Sequence, residues 1–181
     1  MISGTTPRMR VIEIDGLTLE PQAAAHANEM YAVLGDPAIY EYENEPPPSL
    51  EWLRTRFTKL ETRVSPDGHE QWLNWVIRLS GAELIGYVQA TVHPDAQAAI
   101  AYELASVYWG RGLARRAVQA MMAELVEHYG VCGFFAVLKG DNGRSVRLLE
   151  RLGFALATPG EHVRHHVEPG EVLMQHGGHP L

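Results

Sequence analysis

Residues 98–114 read Ala98-Ala99-Ile100-Ala101-Tyr102-Glu103-Leu104-Ala105-Ser106-Val107-Tyr108-Trp109-Gly110-Arg111-Gly112-Leu113-Ala114. An apolar, strand-like run passes through two glycines into a segment with a different period. Ala114, Ala117, Val118, Met121, Leu125 and Tyr129 step by three and four, as on one face of a helix, and Gly130 ends it. Such a loop offers a ligand the unpaired N–H groups and the positive dipole end of the helix start. Glycine also lets a ligand approach the backbone closely. Arg111, Arg115 and Arg116 crowd this helix start with no carboxylate among them. Each opposes the helix dipole by roughly 0.3–1 kcal/mol, a cost that a bound polyanion reverses. The loop therefore reads as an anion site. It lacks the Gly-Lys-Ser/Thr ending of a P-loop. A dinucleotide fingerprint needs a third glycine near Arg115 and an acidic residue after the next strand, where the chain has Leu138-Lys139-Gly140.

Upstream, residues 10–20 carry a first strand that ends at the turn Asp15-Gly16. Pro21 suits a first helical turn, residues 23–34 are rich in helix formers, and Gly35-Asp36-Pro37 stops them. The acidic, aromatic segment 39–49 ends in three prolines and reads as a loop. Ser49 is an N-cap for a helix bearing Trp52, Leu53, Phe57 and Leu60 at helical spacing. Segments 72–79 and 84–92 form a hairpin around Ser80-Gly81-Ala82, and 98–105 is a further strand.

Downstream, residues 131–138 form a nearly all-apolar strand, as expected at a central position. A helix over 142–152 turns Val146, Leu149 and Leu152 inward and stops at Gly153; strands over 154–158 and 172–175 close the chain. Hairpins beside a strand–helix–strand unit predict an α+β fold (α/β, three layers). Its sheet is mixed and mostly antiparallel, of about six or seven strands, with helices on both faces.

The chain of 181 residues suits one domain over 1–181, and 46% hydrophobic with 20% charged residues is ordinary for a globular protein. It contains no run long enough for a membrane helix and no apolar signal segment near its start. Cys132 is the only cysteine, which excludes an internal disulfide and suits the cytoplasm. A net charge of −7 argues against a nucleic-acid partner, and no membrane partner is expected. Cys132 opens the apolar strand and reads as packing. His162, His165, His166, His176 and His179 show no ligand pattern, so no metal is expected.

The stretch from Tyr102 to Ala114 closely resembles the coenzyme A motif of the GNAT superfamily of N-acetyltransferases, Gln/Arg-x-x-Gly-x-Gly/Ala, with Trp109, Gly112 and Ala114 at its defined positions. Trp at the first position resembles the ribosomal-protein alanine N-acetyltransferase (Rim-like) branch. Three more stretches resemble that branch. They are Leu34-Gly35-Asp36-Pro37 through Pro48, the hairpin Trp75-Val76-Ile77-Arg78 with Leu84-Ile85-Gly86-Tyr87-Val88, and Asn142-Gly143-Arg144-Ser145 with Glu150-Arg151-Leu152-Gly153-Phe154. Glu171-Val172-Leu173-Met174 suits the family's last strand.

The resemblance implies acetyl-CoA as co-substrate and a primary amine as acceptor, on a peptide or a small molecule, in a monomer or homodimer. Backbone N–H groups of Arg111, Gly112, Leu113, Ala114 and Arg115 would contact the pyrophosphate. Leu104, Ala105, Val107, Asn142 and Ser145 would line the rest of the coenzyme, with the strand 98–105 splayed from 131–138. Leu104 N–H would polarise the thioester. Tyr31, Glu41, Tyr42 and Glu43 are candidate acceptor contacts.

The general base stays open. Glu103 is a charged residue in an apolar strand, and it is either the base or simply faces solvent; Glu41 and Glu43 are rivals. Many superfamily members place a catalytic Glu where this chain has Ala99 and a Tyr acid where it has Leu149. Ser145 then matches the proton donor of Rim-like enzymes, or else serves only the helix start. The alternative function is a coenzyme A-binding sensor or interaction module without catalysis.

Overall fold

The computed structural model describes residues 8–42 and 44–177. β1 (Ile12–Ile14) turns through Gly16, at φ 78°, into β2 (Leu17–Pro21). One strand before this turn was expected, but the chain doubles back as a second. Buried Leu17 and Leu19 alternate with more exposed Thr18 and Glu20, the pattern of a half-buried strand. Pro21 closes β2 opposite Trp75 instead of opening a helix. A 3₁₀ turn (Ala24–His26) leads into α1 (Ala27–Val33). After a second turn at Pro37–Tyr40 the chain enters α2 (Leu50–Leu60), where the Ser49 hydroxyl accepts from Trp52 N at 3.1 Å and caps the helix.

β3 (Gln71–Leu79), β4 (Leu84–Val92) and β5 (Gln97–Leu104) form an antiparallel meander. α3 (Leu113–Tyr129) crosses to β6 (Gly133–Lys139), followed by α4 (Gly143–Arg151), β7 (Ala155–Leu156), α5 (Pro159–Arg164) and β8 (Glu171–Gly177). The strands form one eight-stranded sheet, ordered β1-β2-β3-β4-β5-β6-β8-β7, in which β5–β6 is the single parallel pair. The count exceeds six or seven because β1 and β7, of three and two residues, line its edges. Short edge strands offer little unpaired backbone to other chains.

Each face carries its own apolar layer. α3 buries Ala117, Val118, Met121, Met122 and Leu125, and α4 buries Leu149, against Leu19, Ile77, Ile100 and Phe134. On the opposite face Ala27, Met30, Leu53 and Phe57 of α1 and α2 meet Val76 and Leu84. Each large side chain so buried contributes about 1.5–3 kcal/mol. Glu124 is the buried carboxylate on α3, and Arg10 holds it at 2.6 Å, satisfying a charge that would otherwise be costly there.

Two local expectations change. Cys132 precedes β6 and is exposed, with its thiol near the Gln97 amide (3.4 Å), because the strand begins one residue later. His162 lies within α5 and His165 caps it, so this segment is helical where an extended chain was expected. The His162 ring joins α5 to β8 by accepting from Leu173 N at 3.2 Å. His179 and Glu43 fall outside the described residues.

Candidate active site

The site begins where the parallel pair comes apart. β5 and β6 pair only at Gln97–Gly133, Ala98–Phe134 and Ala99–Phe135, while β6 pairs along its whole length with β8. Beyond these three rungs β5 runs on to Leu104 and β6 to Lys139, and a cleft of about 560 Å³ opens between them. Its walls include Tyr102, Glu103 and Leu104 on one side and Ala136, Val137 and Leu138 on the other.

The direction of the Leu104 N–H follows from the ladder. Ala105 N donates to Ile85 O at 2.9 Å, so residues 105, 103 and 101 take the hydrogen-bonded positions opposite β4. Leu104, one residue out of phase, turns its N–H away from β4 and toward the opening. Its carbonyl accepts from Trp109 Nε1 at 2.8 Å, which ties the strand end to the loop. The Arg144 guanidinium covers the Trp109 ring at 3.4 Å and links that loop to the start of α4.

Backbone conformation builds the α3 end. Gly110 and Gly112 have φ of 75° and 72°, in the left-handed region that side chains disfavour. Gly112 is the N-cap of α3, no side chain among the described residues caps the helix, and its first turn carries no acidic residue. Among the described residues, Arg111, Arg115 and Arg116 form no ion pair with a carboxylate. A phosphate-rich coenzyme fits this uncapped, basic helix start. Asp36 fixes the approach to it: one carboxylate oxygen accepts from Ala38 N at 3.0 Å and the other from Ser106 N at 2.6 Å. The Ser106 N–H holds the Asp36 carboxyl below the usual carboxylate range.

At the start of α4, Asn142 Oδ1 accepts from Ser145 N at 3.1 Å, and both residues line the cleft. The Tyr102 hydroxyl donates to Ser145 O at 3.4 Å, and burial pushes it up to about 12 against a hydrogen bond with Ser145. Tyr40, another lining residue, is also pushed up to about 12, by burial first and then by the charges of Glu103 and Asp36. Both phenols therefore stay protonated and neutral near pH 7.

Of the sequence candidates, the cleft brings together Glu103, Leu104, Ala114, Asn142, Ser145 and Tyr42. Ala105, Val107, Arg111, Gly112, Leu113 and Arg115 sit on the adjoining loop and helix start. Tyr31 and Glu41 are exposed and do not line it. Sequence reasoning missed Tyr40, Tyr102, Arg144 and the pinning role of Asp36. Asp36 alone had a signal, since Asp before Pro is a frequent cap for a short turn. Among the described residues no His, Cys, Asp or Glu group is arranged to hold a metal ion. None of the helices there is long and apolar enough to cross a membrane.

A family model described as an acetyltransferase (GNAT) domain matches residues 16–155. Among solved structures, a ribosomal L7/L12 alpha-N-protein acetyltransferase in complex with coenzyme A matches with a TM-score of 0.78 at 17% identity, covering 93% of this chain and 98% of that one. The ribosomal-protein-S5-alanine acetyltransferase of Vibrio fischeri gives 0.75 at 17% identity, over 94% and 97% of the two chains. A microcin self-immunity acetyltransferase in complex with acetyl-CoA and AMP gives 0.73 at 19%, over 91% and 93%. At these identities the likeness is one of fold.

Proposed function

The chain belongs to the acetyltransferase (GNAT) domain family, and from that membership we propose that it transfers an acetyl group from acetyl-CoA to a primary amine in the β5–β6 opening. The observation that carries this reading is the break in the parallel pair after three rungs, directly beside an uncapped, arginine-bearing helix start. A ribosomal-protein N-terminal acetyltransferase among the solved structures of this fold supports a peptide amine as acceptor. The exposed thiol of Cys132, the only cysteine, suits the cytoplasm.

Acetyl-CoA supplies an activated acyl thioester. Backbone N–H groups of residues 111–115 hold its pyrophosphate, aided by the helix dipole and the neighbouring arginines. Asn142 and Ser145 line the path of the pantetheine arm. The Leu104 N–H donates to the thioester oxygen as negative charge builds there. Glu103 takes the proton that the amine loses as the N–C bond forms, directly or through water. Ser145 returns a proton to sulfur as the C–S bond breaks, so the products are an amide and free thiol. Leu149, where many relatives carry a Tyr acid, is buried in the α4 core, which leaves this task to a hydroxyl at the helix start.

Thiol release with acetyl-CoA and a panel of peptide and small amines tests the reading. Ser145→Ala and Glu103→Gln are each expected to lower kcat by roughly 100-fold while acetyl-CoA still binds. Full turnover in both variants would overturn these two roles.

A further inference from the structure

The α2 end of the cleft, away from the coenzyme, has a chemistry of its own. Beneath it runs a cross-strand row of carboxamides, of which Gln22 and Gln89 line the cleft. Gln22 N donates to Asn74 O at 2.9 Å, Asn74 lies opposite Gln89, and Gln89 lies opposite Ala101, two rungs from the Tyr87–Glu103 pair. Strand alternation puts these side chains on the face that α2 covers, the face that carries Val76. Gln22 and Asn74 are 3% and 4% exposed beneath a helix that buries Leu53 and Phe57. Buried amides in an apolar layer are costly unless every N–H finds an acceptor, and among the described residues Gln22 Nε2 has no hydrogen-bond partner.

The wall above is formed by Trp52 and Arg56, one turn apart on α2, with the guanidinium 5.6 Å from the ring centroid. Both line the cleft together with Gln22. Among the described residues Arg56 has no carboxylate within ion-pair distance. Among the described residues the charged ones that line the cleft are Glu45, Glu103, Arg56 and Arg144, and Arg144 is engaged on Trp109 at the coenzyme end. An arginine with no carboxylate partner among the described residues therefore lines the same cleft as Glu103, in a protein with net charge −7.

We infer that this end is a carboxylate-binding subsite, in which Arg56 and Gln22 donate to an acidic group on the acceptor, so that the preferred acceptor is an amine bearing its own carboxylate. This rests on the acetyl-transfer reading of the same cleft. It runs opposite to what the acidic segment 39–49 suggests: Glu45 of that segment lines the cleft and Glu41 does not, and a polycation also meets Arg56 there. Guanidinium and carboxylate form strong, directional hydrogen bonds, and the aromatic ring beside Arg56 keeps its fork oriented.

The test compares two short peptides with a free N-terminal serine, identical except for Asp or Asn at the second position, plus spermidine. The wild type is expected to favour the Asp peptide roughly tenfold in kcat/KM, mainly through KM. Arg56→Gln should bring the two within about twofold, and Arg56→Glu should turn the preference toward a peptide with Lys at that position. Arg56 is exposed, so both variants are expected to fold. Gln22→Leu should lower the preference with a smaller change. Equal use of both peptides by the wild type, a preference unchanged in Arg56→Gln, or spermidine as the best acceptor overturns the inference and leaves acetyl transfer standing. No transfer to any amine, with acetyl-CoA still bound, overturns both.

Discussion

At its α3–α4 end the cleft is made of backbone, whereas at its α2 end it is made of side chains. The first relies on two glycines with positive φ, an uncapped helix start and a strand edge left open by a broken parallel pair. The second relies on Gln22, Gln89, Trp52 and Arg56, drawn from a strand end, a central strand and a helix. A backbone site depends on local conformation and fails when a glycine is replaced, even though no functional side chain is lost. A side-chain site can lose one contact and keep the fold, so the acceptor can change while the coenzyme seat stays the same.

Gly86 lies opposite Leu104 in the sheet, and a change there breaks the comparison most sharply. A Cβ on Gly86 would lie 2.0 Å from the Glu103 carbonyl oxygen and 2.9 Å from the Leu104 Cα, both on the backbone. Gly86→Ala must therefore push β5 where the Leu104 N–H faces the cleft. The expected loss is roughly 100-fold in kcat, with a stability cost of about 1–3 kcal/mol. A kinetically silent Gly86→Ala would show that the strand edge is not the polarising element.

A smaller effect is expected at Asp36, which belongs to neither end but holds the loop between them. Its carboxyl is depressed by the Ser106 and Ala38 N–H groups. The stability it contributes is present above the unfolded carboxylate value near 3.9 and is lost as pH falls through the lower folded value. Asp36→Asn should cost about 1 kcal/mol at neutral pH and flatten the acid limb of a Tm-versus-pH curve. An unchanged acid limb would remove Asp36 from the account.

The same division explains what could be read from the sequence. The α3 end was legible because glycines, arginines and helical period lie within one contiguous stretch, residues 98–129. The splay of β5 from β6 followed only through family resemblance. The carboxamide row had no signal, because Gln22 just beyond β2, Asn74 on β3 and Gln89 on β4 are far apart in sequence, and one sequence does not display register. Tyr102 read as part of an apolar strand, and its contact with Ser145 spans 43 positions. α5 does carry a signal in the sequence. Thr158 with Glu161 three residues later forms a capping box, and Pro159 takes the first helical position.

The central claim is that the open strand edge and the glycine-started helix hold acetyl-CoA, and thermal denaturation with added ligand tests it most directly. At about a hundredfold excess over Kd, acetyl-CoA and coenzyme A are expected to raise Tm by roughly 5–10 °C. NAD should have no such effect, and Gly112→Val should lose most of the shift because a β-branched residue is strained at φ 72°. No shift at millimolar acetyl-CoA, or an equal shift with NAD, would contradict the account.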